Sequence, residues 1–151
     1  MALRRLKKIS DHDKALILEE LKDLLNTHEE VVFALLYGSM VDPLMPERYG
    51  DIDIAIFINS QNLQSSGYIL ESQIEAQASR ILSAKGLDFP PIEVLIINNA
   101  PNSFLVKLFK SPYIVVKETE EVMTDFIEEI GKKSSADYHF RSEALRELLE
   151  N

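Results

Sequence analysis

Two short segments of this chain, Tyr37-Gly38-Ser39 and Asp51-Ile52-Asp53, carry residue types that can do chemistry together. Glycine lets a backbone turn tightly and approach a polyphosphate closely. Asp51 and Asp53 offer carboxylate oxygens, the ligands that Mg2+ and Mn2+ prefer. The eleven residues Met40 to Gly50 separate the pair from Ser39. A phosphate-binding turn beside paired acids is what metal-dependent transfer of a nucleoside monophosphate requires.

Strands must position these groups. Val31 to Tyr37 is an unbroken apolar run ending at Gly38, which suits a strand buried on both faces. Asp51 to Ile58 is rich in β-branched residues and reads as a second strand. Alternate strand residues share a face, so Asp51 and Asp53 point the same way with Cα atoms about 6.5–7 Å apart. Two metal ions in phosphoryl-transfer sites lie about 3.5–4 Å apart, within reach of both carboxylates. Pro91 to Ile97 is a third strand-like run, and Glu93 is its one charged residue. Glu93 therefore faces either solvent at the strand's start or a cation. If this strand neighbours the one bearing Asp51 and Asp53, three acids converge, and metal relieves their mutual repulsion. Taken singly, each piece is commonplace: a Gly-Ser turn, a solvated Asp-x-Asp, one strand glutamate. Their order and their placement at strand ends favour the metal reading.

The order Gly-Ser, spacer, Asp-x-Asp and later strand acid resembles the DNA polymerase β-type nucleotidyltransferase superfamily. Short length and a long C-terminal helical segment resemble its minimal nucleotidyltransferases, commonly paired as antitoxins with HEPN-domain toxins. The catalytic match covers about Val31 to Ile97. The resemblance implies a Gly-Ser turn that begins a short helix and receives an NTP, here ATP or another, at Gly38 and Ser39. It implies two metal-binding acids, Asp51 and Asp53, and a third, Glu93, that helps to bind and activate the attacking hydroxyl. Family members often carry an arginine shortly after the serine. Here that stretch is Met40-Val41-Asp42-Pro43, and Arg48 is the loop's one cation and candidate phosphate ligand.

The implied activity is transfer of AMP to a hydroxyl on a HEPN-type partner protein, with Mg2+ or Mn2+ as cofactor. A second reading is a catalytically weak or inactive module that neutralises such a partner by contact. A third is nucleotidyl transfer to a small molecule such as an aminoglycoside, for which the chain leaves little room.

Composition bounds these readings. A length of 151 residues suits one domain, with its catalytic core at about 31–97 and a helical segment at about 119–150. A net charge of −9 argues against direct nucleic-acid binding and suits a basic partner. With no cysteine there is neither disulfide nor thiolate metal site. No apolar run approaches the roughly 20 residues needed to cross a bilayer. The basic stretch Met1 to Lys8 is followed by no signal-type apolar segment, so a frayed terminus and a cytoplasmic protein are expected. His12, His28 and His139 lack zinc-type spacing and read as surface or helix-face residues. Dinucleotide and P-loop glycine patterns are missing, and no Gly-x-Ser-x-Gly elbow surrounds Ser39.

The remaining pattern predicts an α/β fold: a small mixed sheet of about four strands with helices packed on it, of polymerase β type. Ser10 and Asp13 form a capping box ahead of an Ile17, Leu21, Leu24, Leu25 stripe. Leu70, Ile74, Ala78 and Ile81 predict a helix from Ser66 to Lys85, with Gly86 at C′. That helix makes a crossover, which places the Asp51 and Glu93 strands side by side. Pro101 starts a short helix through Phe109, and Tyr113 to Val116 is an edge strand. Val122, Phe126 and Ile130 form a stripe expected to pack on the sheet. Gly131 and Ser134-Ser135 suggest a kink. Beyond it Tyr138, Leu145, Leu148 and Leu149 either offer a surface for a homodimer or hetero-oligomer or pack as a terminal helix on the chain's own core.

Overall fold

The computed structural model describes residues 7–8, 10–41, 48–49, 51–59, 67–87, 91–119 and 121–134. In chain order the elements are β1 (Lys7–Lys8), α1 (Asp11–Asn26), β2 (Val31–Tyr37), β3 (Arg48–Tyr49) and β4 (Ile52–Ile58). There follow α2 (Gly67–Ala84), β5 (Ile92–Ile96), α3 (Asn102–Lys110), β6 (Tyr113–Lys117) and a helix, α4, over 121–134.

The apolar runs of β2 and β4 take the middle of a four-stranded sheet of order β5-β4-β2-β6. β2 pairs antiparallel with β4 and with β6, while β4 and β5 run parallel. The sheet is therefore mixed, and α2 supplies the crossover that parallel neighbours need. Side-chain alternation sorts the core into two halves. Ile52, Ile54, Ile56 and Ile58 of β4 join Ile17, Leu21, Leu25, Ile74 and Ala78 of α1 and α2 on one face. Phe33, Leu35 and Ala55 meet Leu105, Leu108, Met123 and Ile130 of α3 and α4 on the other.

Local signals hold as expected. Ser10 Oγ accepts the Asp13 N–H at 3.1 Å. Gly86 adopts φ +77°, and Leu87 N–H donates to Leu82 O at 2.8 Å, the wrap-around bond of a Schellman end. Pro101 is the N-cap of α3, one residue earlier than a first helical position. Val122 and Phe126 pack against the second core half, and Ile130 is buried in it. The helix runs on through Gly131 to 134 without a break. The Tyr138 to Leu149 stripe lies outside the described residues.

Two expectations need correction. Lys7 and Lys8 are not frayed: they pair antiparallel with Tyr49 and Arg48. His28 is neither a surface nor a helix-face residue but is only 7% exposed, in the connection between α1 and β2. Its Nδ1 lies 3.0 Å from Glu30 Oε1 and its Nε2 lies 2.7 Å from Gln77 Oε1 of α2. A buried imidazole needs such partners. Nearby, Lys117 Nζ donates to Leu25 O at 3.2 Å and to His28 O at 2.9 Å, which satisfies carbonyls at the end of α1.

Phe33 is fully buried, stacks on Phe57 with centroids 4.9 Å apart and meets Phe126 at 5.9 Å. Phe33→Ala should lower unfolding stability by about 3–5 kcal/mol, the range for deleting a buried aromatic. Urea denaturation followed by circular dichroism measures it.

Candidate metal and nucleotide site

Because the four isoleucines of β4 face α1 and α2, Asp53 must face the other side of the sheet, and Asp51 with it. The parallel register pairs Asp53 with Glu93 across β4 and β5. The crossover thus brings together what the chain separates by forty residues. One ligand atom each from Asp51, Asp53 and Glu93 lies within 4.8 Å of the others. The two aspartates are half-buried and Glu93 is exposed, so the cluster has a sheltered floor and one open side. Asp51 Oδ1 is shielded from solvent.

β2 ends beside this cluster. Gly38 adopts φ +84°, a conformation that L side chains rarely take, and a Cβ there would collide with the Asp53 carboxylate. Glycine here serves two ends: the turn itself and the approach of Asp53 to the main chain. Val41 N–H donates to Gly38 O at 3.0 Å, closing a turn that carries half-buried Ser39. The residues after Val41, where the resemblance implies a helix, lie outside the described part until Arg48. Arg48 belongs to β3, with its backbone paired to Lys8. The expectation for its side chain lies outside the described residues. Met40 is only 5% exposed and belongs to the core with α1 and α2.

The crowding of acids sets the electrostatics. Burial, then the charge of Glu93, a hydrogen bond with it and the charge of Asp51 push the Asp53 carboxyl up to about 6. Tyr37 pairs with Asp53 in the sheet register, and its ring meets Phe104 edge-on at 6.3 Å. Burial, followed by the charges of Asp53 and Glu93, raises the Tyr37 hydroxyl to about 12. The phenol therefore stays protonated beside the acids. Sequence reasoning treated Tyr37 only as a strand end. Its place directly before Gly38 was the available signal.

The donor set fits a divalent cation of the Mg2+ or Mn2+ type. It is all carboxylate oxygen, it converges from two strands, and its like charges lack internal compensation among their own members. One cavity of about 600 Å3, between Phe57, Asn98, Leu105, Phe126 and Lys133, contains none of the three acids. The three acids thus lie outside that hollow.

This sheet, with its crossover and its strand-end turn, has the architecture of the α/β nucleotidyltransferases. The chain belongs to the polymerase β nucleotidyltransferase family, whose model (Polymerase beta, Nucleotidyltransferase) matches residues 19–121. Solved structures share the fold. A chain from the complex of a tri-AMPylated Shewanella oneidensis HEPN toxin with an MNT antitoxin superposes with a TM-score of 0.60 at 12% identity, over 90% of this chain and 98% of that one. A chain of the MntA-HepT toxin-antitoxin gives 0.59 at 12% identity, over 89% and 98%. A chain of a toxin-antitoxin with AMP-PNP gives 0.56 at 11%, over 93% and 99%. At these identities the likeness is one of fold. No curated protein matches the chain by sequence.

Asp53 gives the metal-free protein a definite pH dependence. Its folded-state pKa of about 6 lies above the ordinary value of 3.8, so the native state holds this proton more tightly. That contribution to stability is present below about pH 4 and is lost as pH rises through about 6. The difference between parent and Asp53→Asn melting temperatures should therefore move against the parent across this window. Added Mn2+ should stabilise the parent more above pH 6 than below it. Thermal melts of metal-stripped protein at pH 4 to 7 read both. Separately, Gly38→Ala should cost at least about 1 kcal/mol, the scale of a left-handed residue given a Cβ. It should also weaken Mn2+ binding by displacing Asp53, measurable by calorimetric titration.

Proposed function

We propose that this protein transfers AMP from ATP to a hydroxyl group on a HEPN-type partner protein, as the antitoxin half of a toxin–antitoxin pair. The observation that carries the reading is the convergence of Asp51, Asp53 and Glu93 beside the Gly38 turn. Family membership agrees with it. Relatives of the same fold include one described with a tri-AMPylated HEPN toxin.

In this reading Asp51 and Asp53 hold Mg2+ or Mn2+ from the floor of the site, and Glu93 completes the set from the next strand. When bound, the divalent ion neutralises charge on the polyphosphate and lowers the pKa of the acceptor hydroxyl. Backbone N–H groups at Gly38 and Ser39, with the Ser39 hydroxyl, orient the triphosphate. Arg48, the one cation of the loop, is the candidate for a further phosphate contact. Glu93, the most exposed of the three acids, receives the proton of the attacking hydroxyl as its oxygen bonds to the α-phosphorus and pyrophosphate leaves. Tyr37, held protonated, can donate a hydrogen bond within the site. No helix among the described residues is long and apolar enough to cross a membrane.

One observation favours a second reading. The stretch shortly after Ser39, where the family often carries an arginine, here begins with a core methionine, Met40. A protein short of phosphate contacts could neutralise its partner by binding alone.

Labelled ATP, Mg2+ or Mn2+ and the protein encoded next door separate the two. Transfer of label to the partner, lowered at least about a hundredfold in a folded Asp53→Asn variant, supports AMP transfer, a loss on the scale of removing a group that stabilises transition-state charge. If Asp53→Asn modifies the partner as fast as the parent does, the catalytic reading fails. Neutralisation that persists in the variant without any label transfer establishes the contact reading instead.

A further inference from the structure

Glu93 stands on the sheet's edge. β5 is five residues long and, among the described residues, pairs only with β4, so one row of its backbone groups has no strand partner there. On that open side Val94 N–H donates to Glu75 Oε1 at 2.9 Å, and Ile96 N–H donates to Glu71 Oε2 at 2.8 Å. Both acceptors come from α2 and both are half-buried. The fit is geometric. Four residues of helix rise about 6 Å, and two residues of strand advance about 6.6 Å. Carboxylates at i and i+4 of a helix running antiparallel to a strand thus meet alternate N–H groups of it. Beyond the strand's far end Asn98 completes the hold: its Oδ1 accepts the Ile58 N–H at 2.9 Å and its Nδ2 donates to Ile58 O at 2.8 Å.

The β4 ladder fixes one edge of β5, and the two bonds from α2 fix the other, so the backbone that carries Glu93 is held from both sides. We propose that Glu71 and Glu75 are positioning residues for the metal site: acting through the β5 backbone, they hold Glu93 in register with Asp53. The inference rests on the reading of the three acids as a metal site. It assigns Glu71 and Glu75 no contact with metal or substrate, since their acceptor oxygens are engaged by main-chain N–H groups.

The full-length chain carries the test, with three proteins compared to the parent. Glu71→Met with Glu75→Met removes both acceptors at similar volume. Glu71→Gln with Glu75→Gln keeps an acceptor oxygen and loses the charge. Ser79→Gly, at an exposed α2 position, lowers helix stability without touching β5. Two quantities are read: hydrogen exchange at the Val94 and Ile96 amides in metal-free protein, and Mn2+ affinity from the electron paramagnetic resonance of free ion.

The methionine pair should exchange both amides at least about tenfold faster and bind Mn2+ about tenfold more weakly, the scale known for outer partners of metal ligands. The glutamine pair should stay within about threefold of the parent on both measures, and Ser79→Gly should leave Mn2+ affinity unchanged. If the methionine pair does not fold, Glu75→Asp, which withdraws the acceptor by one methylene, should show the same two changes in smaller degree. Parental Mn2+ affinity in the methionine pair, or in a folded Glu75→Asp, overturns the proposal. So does a glutamine pair as weak as the methionine pair, or a Ser79→Gly protein equally impaired. A parent that binds no Mn2+ overturns instead the metal reading on which the proposal rests.

Discussion

Parallel pairing of β4 with β5 forces Asp53 opposite Glu93, and the two-residue repeat of β4 adds Asp51 to the same face. Nothing about the sheet can avoid this meeting once the register is set. The isoleucines on the opposite face set the register, because a one-residue slip would bring Asp53 into the apolar core. Hydrophobic burial of Ile52, Ile54 and Ile56 is thus the force that compresses three acids into one cluster. The site is strained electrostatically because the core is satisfied sterically.

That strain explains why the neighbourhood is built as it is. Gly38 leaves space for a carboxylate that any side chain would displace. Tyr37 brings a phenol that remains protonated, and Phe104 packs edge-on against its ring. Burial first, and then the neighbouring acids, raise the Asp53 carboxyl. A cation in the cluster removes the repulsion and restores full ionisation. Stability of the empty fold and affinity for the ion are in this way opposite readings of one arrangement.

Much of this was legible from residue order. The Asp-x-Asp repeat, the helix length after it and the apolar run around Glu93 suffice to place the three acids together, because crossover connections leave few options. The Ser10 cap and the Gly86 terminus are local signals and hold locally. What escaped was non-local. The pairing of Lys7-Lys8 with Arg48-Tyr49 joins segments forty residues apart with no shared pattern to announce it. His28 reads as a surface or helix-face residue because its partners Glu30 and Gln77 converge only when α2 packs beside α1. Glu71 and Glu75 carry no sequence signal that sets them apart from the solvated face of a helix. A carboxylate that accepts from an edge strand and one that faces water have the same sequence signature.

The burial of Met40 bears on how the phosphate half of the site can work. Its side chain is part of the core with α1 and α2, so an arginine introduced there would have to displace packing or bury a charge. The turn after Ser39 is therefore anchored by apolar contact. In the nucleotidyl-transfer reading, the triphosphate would then rest on turn N–H groups, Ser39 and the charge that the three acids recruit. The packing of one methionine links the core to the choice between a transferase and a protein that acts by contact.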